Sequence, residues 1–301
     1  MFFQQLVNGL TIGGVYALIA LGYTMVYGII ELINFAHGEI YMIGAYAGII
    51  AIAAAQTLIA GGIPPIAAVA LALLAAMLVC AAYGFTMEKL AYRPLRHAPR
   101  LSPLISALGV SIFLQNFIMI AQGTRDKVFP HLFENTVAFD LGSVRVSLIQ
   151  IAIIVGCFMM MALLHLVIQH TKIGTAMRAT AQDKTAAALC GIHVDHVISV
   201  TFMIGSLLAG AAGVMIAMYY GLVNYSIGYL AGIKAFTAAV LGGIGNIPGA
   251  MIGGMILGLL ESFGAGYISP EYKDVIAFSI LILVLLIKPS GLLGENLAEK
   301  A

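Results

Sequence analysis

Residues 6–30 read LVNGLTIGGVYALIALGYTMVYGII, a stretch without a single charged side chain. A transmembrane helix needs about 20 consecutive apolar residues, so this stretch can cross a bilayer. The whole chain has the same character, with 61% hydrophobic and 9% charged residues among 301 and a mean hydropathy of +1.04. Soluble domains carry about 25% charged residues. The sequence therefore predicts an all-α, polytopic transmembrane helical bundle, with residues 1–301 forming one transmembrane domain.

Further apolar runs give the number of crossings. Seven runs are long enough, or nearly so, to span hydrocarbon: 6–30, 32–56, 64–87, 103–121, 148–169, 197–219 and 275–288. Another stretch, 231–265, is interrupted by glycine and proline at 245–249, which disfavours a continuous helix. We expect two short antiparallel half-helices there. The hairpin adds an even number, so we predict about seven to nine crossings, with the N- and C-termini on opposite sides.

The distribution of Lys and Arg predicts the orientation, because cytoplasmic loops are enriched in both. With a cytoplasmic C-terminus, the inner loops hold nine of these residues: Lys89, Arg93, Arg96, Arg100, Lys172, Arg178, Lys184, Lys288 and Lys300. The outer loops hold four: Arg125, Lys127, Arg145 and Lys273. We therefore expect a cytoplasmic C-terminus, an external N-terminus, an external loop at 122–147 and a cytoplasmic loop at 170–196.

Several functional classes are disfavoured by what the sequence lacks. A formal net charge of +1 gives no basic surface for a nucleic acid, so membrane lipid is the expected environment and no nucleic-acid partner is predicted. No lysine follows a glycine, which excludes the phosphate-binding GxxxxGK[ST] loop, and no HExxH or CxxC spacing predicts a metal site. We therefore predict no catalytic residue, no metal and no cofactor in this chain. If ATP is used, a partner must bind and hydrolyse it.

Polar side chains within apolar segments are the candidates for a translocation path, because they are costly in lipid unless paired or hydrated. Asn34, His37 and Glu39 follow the first run and are typical of a broken helix facing a cavity. Lys234 has two interpretations, a lysine reaching to the membrane interface or a partner of Glu39 or Glu261. The fifth candidate, Asn246, lies in the glycine-rich hairpin.

Two further patterns concern organisation. The segments 34–38 and 224–228 each follow a Tyr-Gly pair by a few residues, which leaves open whether the chain consists of two related halves, as in many transporters. In the inner loop, an alanine-rich run predicts a helix from about Thr180 to Cys190. Asp183 would lie near its positive end and Gly191 just after its last residue.

The chain resembles a known family, the membrane-spanning permease subunits of ABC importers for branched-chain amino acids, and within it the first of the two paired permeases. The resemblance covers nearly the whole chain and is carried by residues 16–28, 33–39, 91–96 and 234–245. It implies a heteromeric importer located in the bacterial inner membrane. Its partners would be a sister permease, two ATP-binding subunits that hold ATP and Mg, and a periplasmic or extracellular substrate-binding protein.

The resemblance also implies a role for the inner loop. Its helix is similar to the coupling helix of such permeases, and Arg178, Asp183, Ala187 and Gly191 match the positions expected to couple it to the ATP-binding subunit. Two alternatives stay open at this point. One is a related permease for urea or short amides. The other is an ion-coupled secondary transporter, for which Glu39 and Glu261 would be the intramembrane carboxylates.

Overall fold

We analysed the chain in a computed structural model, which describes residues 1–60, 62, 64–96, 98–99, 101–130, 137–140 and 145–294, with only the backbone for 57–60 and 137–140. Arg100, Lys300 and parts of the predicted 122–147 loop lie outside the described residues. The described part contains eleven α-helices: α1 (Phe2–Ile30), α2 (His37–Ala60), α3 (Pro65–Met87), α4 (Leu101–Gln122), α5 (Leu148–His170), α6 (Lys172–Gln182), α7 (Lys184–Leu189), α8 (Val194–Tyr220), α9 (Ile227–Gly242), α10 (Ile247–Tyr267) and α11 (Lys273–Ile287).

Helix α3 continues through a π-helical turn (Glu88–Tyr92) and a 3-10 turn (Arg93–Leu95).

Extended structure in the described part is confined to short segments between the helices. Two small antiparallel ladders pair β1 (Lys127–Val128) with β4 (Leu222–Val223) and β2 (Val137–Asp140) with β3 (Arg145–Ser147). The predicted all-α polytopic bundle is thereby confirmed.

Seven helices of the described part are long and apolar enough to cross a membrane. They are α1, α2, α3 with its continuation to Leu95, α4, α5, α8 and α10. The predicted run 275–288 forms α11, which has 15 residues and is shorter than any of these seven helices. The hairpin prediction needs a correction, because α10 is a full-length helix of 21 residues and only α9, with 16, is short. Pro248 lies in the first turn of α10, where its missing N–H costs nothing, so it starts that helix.

The two segments singled out in the sequence, 34–38 and 224–228, have the same local structure, which supports the hypothesis of two related halves. Each of α1 and α8 ends in a left-handed residue, Glu31 with φ 61° and Gly221 with φ 70°. In the turn that follows each helix, an asparagine Oδ1 accepts the backbone N–H two residues later, Asn34 from Ala36 and Asn224 from Ser226, both at 3.1 Å. Helices α2 and α9 then begin at equivalent positions.

Helices α2 and α9 both begin inside the bundle. Gly38 and Gly228 face each other, and a Cβ atom on Gly228 would lie 2.8 Å from the carbonyl oxygen of Gly38. Next to them, His37 lies against Gly22, about two turns before α1 ends. The two interrupted helices therefore meet at mid-depth.

Contacts between helix ends define two opposite faces. At one face, Ser262 of α10 donates to the backbone of Gln5 at 2.9 Å, and Gln150 of α5 donates to Asn8 at 2.9 Å. At the other face, α6 lies beside the end of α1 and the α9–α10 turn. The amides of Leu292 and Leu293 bind carbonyls of α9 there. The start of α1 and residues 288–294 thus lie at opposite faces, and α6 and α7 lie at the face of residues 288–294.

Glycine allows the helices at the centre to pack through their backbones. A side chain on Gly258 of α10 would overlap the backbone of Gly13 of α1, and one on Gly254 would overlap Ala17. Small residues at helix interfaces permit such close approach where lipid provides no hydrophobic driving force. By contrast, the spans in α3, α4 and α5 are only 28%, 22% and 28% buried. These three helices present apolar surface outward, to lipid or to other subunits.

We predict that Gly258→Ala lowers stability, because its methyl group must displace the Gly13 backbone, and overpacking costs about 1–3 kcal/mol. Thermal unfolding of the purified protein in detergent measures the effect. Gly109→Ala on α4 is the matched control, since no described atom lies within 4 Å of the added Cβ. Equal melting temperatures for the two variants would contradict the packing described for α1 and α10.

Candidate functional site

The predicted path residues Asn34, His37 and Glu39 come together at the start of α2, and all three are buried. Asn34 Oδ1 accepts the backbone N–H of Ala36 and also the hydroxyl of Tyr92 at 2.8 Å. Tyr92 packs against Phe202 of α8, with ring centroids 5.2 Å apart. Asn34 therefore shapes the turn before α2 and connects it to the end of α3.

His37 fills the space that two glycines leave open. A Cβ atom on Gly22 would overlap its imidazole ring, and a Cβ atom on Gly205 would lie 3.6 Å from the ring. The ring of Tyr23 meets it edge-on, with centroids 5.0 Å apart. His37 is thus held between α1 and α8 in the centre of the bundle.

Glu39 is a buried carboxylate with little compensation. Ser111 of α4 donates to its Oε1 at 3.2 Å, and its Oε2 has no hydrogen-bond partner within the described part of the chain. A cavity of about 40 Å³, lined in part by Ser111, Gly228 and Phe236, lies beside it. Isolated charges in a membrane are costly, so this position is typical of a functional group.

Lys234 is buried and forms ion pairs with two carboxylates. Its Nζ lies 2.8 Å from Glu261 Oε1 and 2.6 Å from Asp274 Oδ1. The hypothesis of a Lys234–Glu261 pair is confirmed, and the alternative pair with Glu39 is wrong. Both partners are carboxylates from other helices, α10 and α11, so the lysine connects α9 to both of them.

This charged cluster lines a cavity that opens at the face where α1 starts. The cavity has a volume of about 210 Å³, and its walls come from six helices and the loop before α9. Its lining consists of Tyr16, Tyr41, Ile216, Tyr220, Asn224, Ser226, Ile227, Leu230, Ala231, Lys234, Glu261, Lys273 and Asp274. We call it the α9 cavity. Of the five predicted path residues, only Lys234 lines it.

Asn246 has a structural position at the opposite face. Its Oδ1 accepts the backbone N–H of Gly249 at 2.9 Å and so caps the N-terminus of α10. Its Nδ2 donates to the carbonyl of Leu293 at 2.8 Å. Asn246 therefore fixes the α9–α10 turn against the C-terminal segment, away from the other four candidates.

An ion-pair network connects the end of α3 with the start of α8. Glu88 is 0% exposed and binds Arg96 through Oε1 and the hydroxyl of Ser199 through Oε2, the latter at 2.6 Å. Arg96 also pairs with Asp195, and Arg93 pairs with the same carboxylate at 2.7 Å. The five side chains lie at the α6–α7 face. We call them the Glu88 network.

The inner segment forms two helices where one was predicted for residues 180–190. Asp183 is the reason for the difference, because its Oδ1 accepts the amides of Thr185 at 2.7 Å and Ala186 at 3.0 Å. This carboxylate ends α6 and caps α7, as aspartate favours. Gly191 follows α7 with φ 84°, as expected for a left-handed C-terminal residue.

The four predicted coupling residues differ in what they contact. Arg178 donates to the carbonyl of Ile168 and ties α6 to the end of α5. Asp183 and Gly191 define the ends of α7, and Ala187 is buried on its inner side. The outer side of α7 presents Leu189, which is 85% exposed. A cavity of about 500 Å³, lined in part by Lys184, Thr185 and Asp195, lies between α7 and α8.

Sequence reasoning missed Glu88, Asp195, Asp274 and the exposed Leu189. The three carboxylates stand where apolar runs begin or end, so each has the pattern of an ordinary interfacial charge. Only their distances to Arg96, Arg93 and Lys234 reveal the pairing. Among the described residues, no group of three or more His, Cys, Asp and Glu side chains is arranged to hold a metal ion.

We predict that Arg96→Met destabilises the protein strongly, because it leaves Glu88 as a buried carboxylate without its cation, a loss of about 3–5 kcal/mol. The matched control is Arg93→Met, which breaks an exposed pair worth less than about 1 kcal/mol. Chemical unfolding in detergent measures both. Combining Arg96→Met with Glu88→Gln is expected to recover most of the loss, and equal losses in the two single variants would contradict the network.

Comparison with known proteins gives matches along the entire chain. Residues 5–285 match the family described as branched-chain amino acid transport system, permease component. The chain is 51% identical to the high-affinity branched-chain amino acid transport system permease protein BraD of Pseudomonas aeruginosa, with 99% of this chain and 98% of that protein aligned. It is 49% identical to the LivH permeases of Salmonella typhimurium and Escherichia coli, with 99% of this chain and 97% of each aligned. The chain therefore belongs to the family of branched-chain amino acid transport permeases.

Proposed function

We propose that this chain is a transmembrane permease subunit of an ABC importer that moves branched-chain amino acids across the inner membrane. The observation that carries the proposal is the identity of about half of all residues, over full length, to permeases named for that transport. Seven apolar helices support a multi-pass location. The chain itself is not an enzyme in this proposal, and ATP with Mg is bound by partner subunits.

The orientation follows the charge distribution described above. The face of α6, α7 and residues 288–294 is cytoplasmic, and the face where α1 starts is external. Trp is absent from the chain, and Tyr219, Tyr220, Tyr267 and Tyr272 at the external face serve as interfacial aromatics. The α9 cavity then opens toward the side from which an importer receives its substrate.

The complex contains three kinds of partner. A sister permease forms a heterodimer with this chain, two ATP-binding subunits contact it from the cytoplasm, and a substrate-binding protein delivers the amino acid from outside. The outward apolar surfaces of α3, α4 and α5 support contact with lipid or with the sister permease. The large polar segments needed to bind nucleotide are found nowhere in this chain.

Coupling to ATP hydrolysis is assigned to the segment α6–α7. Arg178, Asp183, Ala187 and Gly191 give α7 its place and its ends, and Leu189 presents an apolar surface to the ATP-binding subunit. Asn34, His37 and Glu39 lie at the mid-depth meeting of α2 and α9, where a rigid-body movement of the two halves would open or close a path. Lys234 lies nearer the external face, in the α9 cavity. Asn246 holds the α9–α10 turn at the cytoplasmic face.

Uptake of labelled leucine into proteoliposomes tests the function. The complete complex is reconstituted with internal ATP or a non-hydrolysable analogue, with and without the binding protein. We expect uptake only when ATP hydrolysis and the binding protein are both present. Uptake of urea or a short amide in preference to leucine would replace the substrate class. Uptake by this chain alone, driven by an ion gradient, would overturn the ABC-importer assignment and direct attention to Glu39 and Glu261.

We predict that Leu189→Asp reduces ATP-driven uptake by about tenfold or more, because a central apolar contact at a protein interface commonly contributes 2 kcal/mol or more. Co-purification of the ATP-binding subunits is expected to fall in parallel. Leu189→Met keeps the apolar surface and is the matched control, with wild-type uptake expected. Normal uptake and co-purification of Leu189→Asp would show that α7 does not make this contact.

A further inference from the structure

We propose that the α9 cavity is a binding site for the zwitterionic head group of an apolar amino acid, within this subunit and at its external face. The proposal rests on the function proposed above and assigns a substrate-contacting role to residues of one chain. Three features of the cavity carry it: a balanced set of charges, an uncapped helix N-terminus and an aromatic and aliphatic wall.

The charges in the lining match a molecule that carries both signs. Lys234 and Lys273 provide two cations, and Glu261 and Asp274 provide two carboxylates. The set is formally neutral, so an anion or a cation alone would leave a charge without a counterpart. A zwitterion keeps the balance and can pair at both of its ends.

Two carboxylates are placed to accept the ammonium group. Glu261 is buried and uses Oε1 to bind Lys234, whereas its Oε2 has no hydrogen-bond partner in the described part of the chain. Asp274 is 38% exposed, so it is accessible from the opening of the cavity. The ring of Tyr16 already lies 5.9 Å from the Lys234 ammonium, and tyrosine faces attract cationic groups.

The N-terminus of α9 is placed to receive the carboxylate group. Ser226 and Ile227 form part of the cavity wall, and no side chain in the described part of the chain caps this helix. The first amides of a helix lack partners within it, and the helix dipole adds positive potential there. Interrupted transmembrane helices present such ends to anionic groups of substrates. Asn224 cannot serve as the cap, because its Oδ1 accepts from the backbone and hydroxyl of Ser226.

The remaining wall suits an apolar side chain. Ile216 and Leu230 face the cavity between the tyrosines at 41 and 220. Branched aliphatic groups gain from burial against such a surface. The site therefore selects zwitterionic amino acids with aliphatic side chains and disfavours urea, which has no charged group for either end of the cavity.

The experiment measures binding of labelled leucine to the complete permease complex in nanodiscs without the binding protein. Competitors are 4-methylpentanoate, which lacks the ammonium group, and 3-methylbutylamine, which lacks the carboxylate. We expect leucine to displace the label about tenfold or more better than either analogue, since each loses one charged contact. Equal competition by an analogue would overturn the assignment of the corresponding end.

Asp274→Asn tests the ammonium contact. We expect it to weaken leucine binding about tenfold and not to weaken binding of 4-methylpentanoate, because that analogue has no ammonium group to lose and the variant removes a negative charge from the lining. Glu271→Gln is the matched control, since Glu271 is exposed one turn before Asp274 and does not line the cavity. Wild-type leucine binding by Asp274→Asn would overturn the proposal.

Failure of the site and failure of the function are distinguishable. ATP-driven leucine uptake by the wild-type complex, together with wild-type binding by Asp274→Asn, would retain the importer and reject the site. Absence of uptake in the wild-type complex would reject the importer itself. A normal size-exclusion profile of Asp274→Asn shows that a binding loss does not come from misfolding.

Discussion

Gly38 and Gly228 bring the first turns of α2 and α9 into backbone contact in the middle of the bundle, and the arrangement of both halves depends on this contact. A side chain at either position would collide with the other helix. Because the two backbones can come this close, α2 and α9 can both begin at mid-depth. The polar turns that precede them then lie inside the bundle. Irregular backbone at membrane depth is tolerated only where protein or a water-filled cavity surrounds it. Here α1, α3 and α8 surround the first turn, and the α9 cavity borders the second.

The interrupted helices explain where polar groups accumulate. In each turn an asparagine side chain accepts a backbone N–H from the same turn. Asn34 and Asn224 therefore provide hydrogen-bond partners for backbone amides that lie outside the helices. The buried carboxylates nearby differ in compensation. Glu88 has an arginine and a serine, and Glu261 has a lysine, whereas Glu39 has only the hydroxyl of Ser111. Among these three, Glu39 is the one for which the described residues provide no counter-charge, and it lies where the first turns of α2 and α9 meet.

The sequence was sufficient for the bundle and for most of its helices, because length and hydropathy alone determine which segments can span a membrane. It was insufficient where one side chain decides between two local structures. The break before Pro248 is confirmed, but Pro248 starts a full-length helix where a half-helix was expected. Asp183 was interpreted as part of a helix and instead caps the next one. Pairing across the chain was also out of reach. Lys234 lies 27 residues from Glu261 in sequence, and no periodic pattern distinguishes that partner from Glu39.

Helix α8 links the two regions to which the proposals above assign coupling and substrate binding. Its first turn carries Asp195, which binds Arg93 and Arg96 next to α7, and its last turns carry Ile216 and Tyr220 in the wall of the α9 cavity. A helix of 27 residues is about 40 Å long and transmits a displacement of one end to the other as a rigid element. Midway along it, Gly205 borders His37 and Gly210 borders α3. Side chains interlock on either side of these points, because Ser206 of α8 fills the space over Gly84 of α3 and Val214 of α8 fills the space over Gly48 of α2. Under the function proposed above, α8 would connect a displacement at α7 with the α9 cavity at the opposite face of the bundle.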